Sequence, residues 1–264
     1  LRSGRMIGAT ERRKQTLVLG IVFLAVAIPA TAVYLAGCAT TVQGMDSGEF
    51  MTVAAGGGRL HPPGYPVAMY LMQLAQLLPV DNPIWKASAV SAVFGGLALG
   101  LQAIAIQLLS GRALFAVVLP LVLGCSPLWL RYGTVAEVFT PGAFAMSALA
   151  LLAVRVHMGM QGARTGIWLG LIGGFAFANH HGFVFAFPLM AWILWAGKAG
   201  WRGLACVFLA GSWGLAAYIP LLWAEGSWAW GELDSIGGLV GHVLRRDYGS
   251  FSLRASALGE VHWW

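Results

Sequence analysis

The sequence predicts an all-α protein that crosses a membrane several times. Of its 264 residues, 58% are hydrophobic and only 10% are charged, whereas about 25% of the residues of a soluble domain are charged. Its 12 tryptophans are a second indication, because several lie near the ends of apolar segments, where amphipathic rings favour the membrane interface. The net charge of +6 comes from basic residues between apolar segments. A nucleic-acid-binding protein would collect them on one soluble face, so that class is excluded.

Seven apolar segments are predicted to be transmembrane helices, because a span needs about 20 apolar residues. They are residues 16–37, 84–109, 113–131, 138–154, 165–180, 182–197 and 201–223. Another apolar segment, 64–80, has 17 residues and contains a proline and two glutamines. We predict that it stays on the outer side as a juxtamembrane helix within the first outer loop, residues 39–83.

The distribution of basic residues favours this arrangement. If 64–80 does not cross the membrane, the inner side receives 10 of the 16 basic residues and one acidic residue, Glu11. The ten are Arg2, Arg5, Arg12, Arg13, Lys14, Arg112, Arg155, Arg164, Lys198 and Arg202. If 64–80 crossed, the last five would face outward, against the excess of Lys and Arg in inner loops. We therefore expect the chemistry on the outer face, where nine of the ten acidic residues lie.

Residues 1–224 are predicted to form the transmembrane domain, and residues 225–264 to form a C-terminal segment on the outer face. The chain does not begin with Met and ends on Trp263-Trp264 without a terminating pattern. We expect it to be a fragment of a longer protein, truncated in the C-terminal segment.

The fifth and sixth predicted spans are short. Only 33 residues lie between Arg164 and Lys198, so each half reaches about 25 Å, less than the ~30 Å apolar core of a bilayer. We therefore expect the turn at Asn179-His180-His181-Gly182 to lie in a crevice below the outer surface. Polar side chains at that depth need partners or water.

Two carboxylates, Asp46 and Glu49, follow the first span. Asp46 fits a helix N-cap that accepts the backbone N–H of Glu49, which is a purely structural interpretation. The functional interpretation is a general base at the membrane interface, with a pKa tuned by a half-apolar environment. The sequence alone leaves both open.

Three further groups of polar residues on the predicted outer side have both a structural and a functional interpretation. His61-Pro62-Pro63-Gly64 forms a rigid chain reversal, and this structural role alone would explain its two prolines and its glycine. Arg131 and Glu137 are neighbours and fit a local ion pair. Alternatively, Arg131 and the charged stretch Arg245-Arg246-Asp247-Tyr248 together neutralise a phosphate, which the planar guanidinium group suits.

The three cysteines, Cys38, Cys125 and Cys206, lie in or beside apolar segments without metal-ligand spacing, so we interpret them as small hydrophobic residues. Leu35-Ala36-Gly37-Cys38 looks like a lipoprotein cleavage site. The preceding apolar stretch of 21 residues is, however, too long for a signal-peptide core of about 7–15. The sequence indicates no definite cofactor and leaves a divalent metal open.

Several of these motifs, in this order, resemble the GT-C membrane glycosyltransferase superfamily. Within it, the chain is similar to the protein O-mannosyltransferase-like family that includes transmembrane protein 260. The resemblance covers nearly the whole chain and rests on Asp46-Ser47-Gly48-Glu49-Phe50, His61-Pro62-Pro63-Gly64, NPIWKASAVSAVFGGLALG, SPLWLRYGTVAEVF with Ala136-Glu137-Val138, His180-His181, Tyr218–Leu221 and Arg245–Gly249.

The resemblance implies a GT-C-type bundle of about seven spans that transfers a mannose-like sugar from a polyprenyl-phosphate donor to a protein or glycan hydroxyl. Asp46 carries over as the catalytic base and Glu49 as its partner. The substrate-binding residues that it implies are His61, Arg131, Glu137, His180, His181, Arg245, Arg246, Asp247 and Tyr248.

We expect an integral protein of the bacterial inner membrane whose active site faces the periplasm or exterior. The rival class is a transporter or lipid flippase, which would use intramembrane polar groups and broken helices. A non-catalytic assembly protein is the third class to consider. Convergence of Asp46, Glu137 and His181 in one outward crevice would favour the transferase.

Overall fold

A computed structural model describes residues 9–160, 162, 164–231 and 233–248, with only the backbone given for Ala9 and Tyr248. Helices dominate this part of the chain. They are α1 (Ala9–Ala36), α2 (Asp46–Gly56), α3 (Pro66–Ala75), α4 (Pro83–Ser110), α5 (Ala113–Gly124), α6 (Pro127–Thr134), α7 (Phe139–His157), α8 (Thr165–Asn179), α9 (Phe187–Ala196), α10 (Gly200–Ala216) and α11 (Ile236–Val243). Three 3₁₀ turns, at His181–Ala186, Ile219–Trp223 and Arg246–Tyr248, and two strands, β1 (Gly58–Arg59) and β2 (Trp228–Ala229), complete it.

Four helical segments are long and apolar enough to cross a membrane, judged within the described residues. They are Thr10–Ala36, Pro83–Ser110, Phe139–His157 and Gly200–Trp223. A fifth span arises if α5 and α6, which are bent by 72°, are counted together. The bend follows from Pro127, which holds the preceding residue, Ser126, in an extended conformation. The prediction of an all-α polytopic membrane protein is confirmed.

Two of the seven predicted spans, which were expected to be short, do not meet this length criterion. The segments predicted at 165–180 and 182–197 are helical, but α8 has 15 residues and α9 has 10 after its 3₁₀ turn. At about 1.5 Å per residue, α8 reaches about 22 Å, which is less than the apolar thickness of a bilayer. The break between them lies at His180, whose extended backbone ends α8.

Helices α4, α5 and α6 pack around Tyr34 of α1, which is fully buried. Its hydroxyl donates to the carbonyl of Gly124, at the end of α5 beside the bend, over 2.8 Å. Gly95 and Gly133 lie directly on its ring, because an added Cβ at either position would approach ring atoms at 3.2 and 3.0 Å. The glycines therefore allow α4 and α6 to close onto α1.

Helices α8 and α10 pack through a stripe of glycines. Gly166, Gly170 and Gly174 are spaced four residues apart, and an added Cβ at each would meet a backbone carbonyl of α10 at 2.6–2.8 Å. Close backbone approach through small residues is the usual means of helix association in a membrane, where apolar side chains gain nothing by leaving lipid. This contact fixes α10 against the rest of the bundle.

The segment predicted to stay outside contains α3, which has ten residues and is too short to span a bilayer. It packs against α2, α4 and α8 and buries Ala68, Met69 and Met72. Strand β1 follows α2 and pairs in parallel with β2, which follows α10. The first outer loop and the segment after α10 are therefore joined in one structure.

Arg59 reinforces that junction. Its guanidinium group donates to three backbone carbonyls of the later segment, those of Ala224, Trp230 and Gly231. The residue is only 9% exposed. We call residues 224–231 the clamp, because this arginine holds them beside α2.

Candidate active site

Helix α2 presents both predicted carboxylates in its first turn. Asp46 is its first residue and Glu49 follows one turn later. The capping interpretation of Asp46 is wrong, because Met45 occupies the N-cap position and no side chain caps the helix. The Asp46 side chain is instead 59% exposed, with Oδ2 at 3.9 Å from His61 Nε2. It is available to a ligand.

Glu49 is held much more firmly. Its Oε2 contacts His61 Nδ1, and its Oε1 accepts the backbone N–H of His61 over 2.7 Å. Trp228 of the clamp adds a third bond, from its Nε1–H to Oε1, over 3.2 Å. A carboxylate only accepts hydrogen bonds, so in the neutral imidazole the proton lies on Nδ1 of His61. Its Nε2 then accepts from the Tyr65 hydroxyl, 3.1 Å away.

The His61–Gly64 turn supplies this histidine. It is closed by the Gly64 N–H, which donates to the His61 carbonyl over 2.8 Å. Gly64 has φ +95°, a conformation that favours glycine, and a Cβ there would meet Leu221 Cδ1 at 2.8 Å. The next residue, Tyr65, stacks on the ring of His180 with centroids 5.8 Å apart. The turn therefore connects α2 with the break after α8.

Glu137 lies between α6 and α7 and is buried, with 7% exposure. Ser91 of α4 bonds to its backbone N–H and carbonyl, and its Oε2 accepts the Val138 N–H. Burial raises the pKa of Glu137 to about 7; the bond from Val138 opposes this, and the negative charge of Asp46 adds to it. Glu137 can thus be a neutral hydrogen-bond donor near neutral pH.

The predicted ion pair between Arg131 and Glu137 is not formed within 4.0 Å in the described structure. The guanidinium carbon of Arg131 lies 5.8 Å from the centroid of the Tyr132 ring instead. Arg131, Glu137 and Asp46 do line one cavity of about 340 Å³. It combines a cation, an exposed carboxylate and a buried carboxyl group.

An apolar groove of about 300 Å³ adjoins this cavity. Tyr132 and Phe139, whose ring centroids are 4.3 Å apart, line both spaces. The groove is otherwise lined by Leu128, Trp129, Thr140 and Ala143, from α6 and α7. A ligand with a polar head and an apolar tail fits this arrangement.

Other predicted site residues lie apart from this cavity. His181 bonds through Nε2 to the Tyr218 hydroxyl at 3.0 Å and stacks on Phe177. Two of the three residues chosen to discriminate a transferase from a transporter, Asp46 and Glu137, thus share a cavity, and His181 does not line it.

The charged C-terminal stretch is divided. Arg245 lies close enough to His180 and His181 to act electrostatically on both rings. Arg246 and Asp247 line a separate cavity of about 440 Å³. The structure therefore does not bring Arg246 beside Arg131 at one phosphate position, and the side chain of Tyr248 lies outside the described residues.

Four residues that build the site, Arg59, Tyr65, Ser91 and Trp228, are not among those predicted from the sequence. Tyr65 follows the His61–Gly64 turn directly, and its position next to that motif was a usable signal. Arg59 stood out as a basic residue in an otherwise acidic outer loop. Ser91 and Trp228 carried no signal, because their partners are 46 and 179 residues away. Among the described residues, no group of three or more His, Cys, Asp or Glu side chains is placed to hold a metal ion.

The chain is similar to known proteins in sequence and in fold. The chain is 28% identical over 250 residues to a mouse protein named protein O-mannosyl-transferase TMEM260, covering 89% of this chain and 35% of the relative. A Dictyostelium discoideum protein of the same name is 25% identical over 251 residues, covering 86% of this chain and 30% of the relative. The chain thus spans about a third of the length of these relatives.

A solved structure, the Saccharomyces cerevisiae protein O-mannosyltransferase Pmt1-Pmt2 complex bound to the sugar donor, shares the fold. The TM-score is 0.57 at 16% sequence identity, over 83% of this chain and 33% of that one. The family model described as "Protein O-mannosyl-transferase TMEM260 N-terminal domain" matches residues 46–200, more than half of the chain, and begins at Asp46. The chain therefore belongs to the family of TMEM260-type protein O-mannosyltransferase N-terminal domains.

Proposed function

We propose that this chain is the catalytic region of a membrane glycosyltransferase. It moves a mannose-like sugar from a polyprenyl-phosphate donor to a protein or glycan hydroxyl on the outer or luminal face. The observation that carries this proposal is the cavity that holds Asp46, Arg131 and Glu137 and opens onto an apolar groove. The names of the relatives support the same chemistry.

The groove suits the donor because a polyprenyl phosphate has an anionic head and an apolar tail. The tail lies along α6 and α7, between Leu128 and Ala143, and the phosphate lies near Arg131. A guanidinium group binds phosphate oxygens through two parallel hydrogen bonds, and the Tyr132 ring supports it from one side. Arg131 then stabilises the negative charge that the phosphate gains on departure.

Asp46 is the general base of the proposed reaction. It takes the proton of the acceptor hydroxyl while that oxygen attacks the anomeric carbon of the sugar. The bond between this carbon and the phosphate oxygen breaks, and the lipid phosphate leaves with the electron pair. A phosphate is a good leaving group, so no general acid is needed. Direct displacement inverts the anomeric configuration.

Glu49 and His61 serve as a positioning pair in this proposal. The three hydrogen bonds to Glu49 leave it little freedom to approach a substrate, whereas they fix His61 Nε2 at 3.9 Å from Asp46. Glu137 donates a hydrogen bond to the sugar or phosphate when protonated.

The remaining predicted residues stay part of the proposal as substrate contacts from the rim. His180 stacks on the Tyr65 ring, and Arg245 lies close enough to His180 and His181 to act electrostatically on both. Arg246 and Asp247 line a separate cavity, and the side chain of Tyr248 lies outside the described residues. We propose the outer face of a bacterial inner membrane as the location, on the charge distribution alone, since the two named relatives come from eukaryotes.

The test is sugar transfer by the purified full-length protein in the presence of radiolabelled mannosyl polyprenyl phosphate and an acceptor protein. We expect transfer that depends on both substrates and inverts the anomeric centre. Donor cleavage without dependence on any acceptor, or transport of the intact lipid across vesicles without transfer, would contradict the proposal.

The orientation is tested separately by cysteine labelling in a variant without Cys38, Cys125 and Cys206. Met45, which is 83% exposed, is the outer position. Ser110, at the exposed end of α4, is the inner position. An impermeant reagent added outside should label Met45→Cys and spare Ser110→Cys; the reverse result contradicts the topology.

A further inference from the structure

The opposite end of the bundle contains a larger cavity that the proposed reaction does not use. It measures about 600 Å³ and lies between α4, α7 and α8. In the predicted topology this is the inner side of the membrane, where α4 and α7 end and α8 begins. Its lining includes Leu101, Ala148, Arg155, Arg164, Trp168 and Ile172.

The polar and apolar parts of this cavity are separated along the helix axes. Arg155 lies near the end of α7, and Arg164 directly precedes α8. Leu101 lies nine residues before the end of α4, which places it about 13 Å deeper in the bundle. Ile172 lies seven residues into α8, about 10 Å deep. The cavity therefore has a cationic mouth and an apolar interior.

The two arginines of the mouth have no carboxylate partner in the described part of the chain. Neither forms an ion pair within 4.0 Å among the described residues, and no described residue of the lining is acidic. Both are exposed. Trp168, 55% exposed, lies beside them, as expected of a tryptophan at the membrane interface.

We propose that this cavity binds an anionic glycerophospholipid of the inner leaflet, with the phosphate between Arg155 and Arg164 and one acyl chain between Leu101, Ala148 and Ile172. Charge complementarity favours a lipid over another helix, because an apolar helix would leave both guanidinium groups without an anion. Basic residues between spans on the inner side are well suited to lipid headgroups. The proposal is independent of sugar transfer on the outer face.

The test measures the thermal unfolding of the purified full-length protein in a neutral detergent with added phosphatidylglycerol, phosphatidylcholine or inorganic phosphate. We expect phosphatidylglycerol to raise the Tm by several degrees, with little effect of phosphatidylcholine or free phosphate. The double variant Arg155→Gln, Arg164→Gln should bind phosphatidylglycerol about tenfold or more weakly, as expected for lost charge-assisted bonds.

Two variants complete the experiment. The matched control Arg112→Gln, Arg202→Gln removes the same charge from inner-side arginines that lie over Phe115 and Trp201 instead. It should keep the lipid effect. Ala148→Phe fills the interior while both arginines stay, and it should abolish the lipid effect without loss of fold in detergent alone.

Three results would overturn the proposal. An equal effect of free phosphate would indicate a simple anion site. An equal effect of phosphatidylcholine, or an equal loss in the control variant, would indicate non-specific lipid solvation. No lipid effect in the full-length protein would mean that another helix fills the cavity.

Discussion

The two ends of the helical bundle use charge in opposite ways. At the predicted outer end, Glu49 and the guanidinium group of Arg59 are engaged by named partners, and Trp228 of the clamp bonds to the Glu49 carboxylate. At the predicted inner end, Arg155 and Arg164 lie exposed at the mouth of an apolar cavity. A site that must hold reacting groups in place needs buried hydrogen bonds, whereas binding a lipid headgroup needs only available charge.

Asp46 is the exception at the outer end, because it is the exposed carboxylate among fixed neighbours. Replacing Asp46 by Asn should lower turnover by about 10²–10⁴-fold, the usual contribution of a general base. The side chain keeps its size and does not cap the helix, so folding should be unchanged. Steady-state transfer assays on the purified variant, together with donor binding, check this.

The matched control is Asp81→Asn, an exposed acid in the same outer loop, which should transfer at the wild-type rate. Activity of Asp46→Asn above about a tenth of wild type would move the base role to another carboxyl group. Glu49→Gln should be milder than Asp46→Asn, since Glu49 acts through His61.

Arg59→Ala tests whether the clamp is part of the site. The change removes bonds to three carbonyls from a largely buried guanidinium group, and it should destabilise the outer end by about 3 kcal/mol. Limited proteolysis should then cut within residues 224–235, and turnover should fall with it. Arg59→Lys keeps the charge without the planar fork and should be intermediate. Wild-type protease resistance in Arg59→Ala would show that the strand pairing holds the clamp without the arginine.

Arg131→Ala should weaken donor binding by about tenfold, as expected for one charge-assisted contact to phosphate. Arg246→Ala should weaken it less than about threefold, because Arg246 lines a different cavity. Titration with a fluorescent polyprenyl phosphate measures both. Equal losses of donor affinity in the two variants would instead support the hypothesis that both arginines share one phosphate site.

Glu137 should make stability depend on pH. Burial raises its pKa from 4.5 to about 7 in the folded protein, so the folded protein retains a proton that the unfolded chain releases in this range. The contribution of this retained proton to the free energy of unfolding is therefore full below pH 4.5 and is lost as the pH rises through about 7. Glu137→Gln should resemble the wild type at pH 4.5 and exceed its Tm by a few degrees at pH 8. The exposed Glu225→Gln should show no such difference; a constant offset for Glu137→Gln would mean that Glu137 does not titrate there.

Sequence patterns predicted the features that depend on the composition and length of local segments. The apolar segments, the short pair around His180 and the short α3 follow from spacing, length and charge, whereas the grouping of Asp46, Glu49 and His61 was implied by the family resemblance. Two of the seven predicted spans fall short of full length because 33 residues between Arg164 and Lys198 supply apolar composition without the length of two crossings.

The contacts that assemble the site could not be predicted from the sequence, for a different reason. Trp228 meets Glu49 and Arg59 meets Ala224 only after the whole bundle has folded, and no local pattern records such pairs. The expected pair of Arg131 and Glu137 failed in the same way. Sequence proximity suggested the ion pair, but Ser91 and Val138 hold Glu137 while Tyr132 holds Arg131.

The bond between Trp228 and Glu49 has a consequence for biosynthesis. The 179 residues between them take about 9–36 s to translate at about 5–20 residues per second. Throughout that interval the acidic turn of α2 has left the ribosome while its partner has not yet been made. A chain interrupted before residue 228 would therefore carry Glu49 without its indole partner, and its site would differ in that bond from the site of the finished protein.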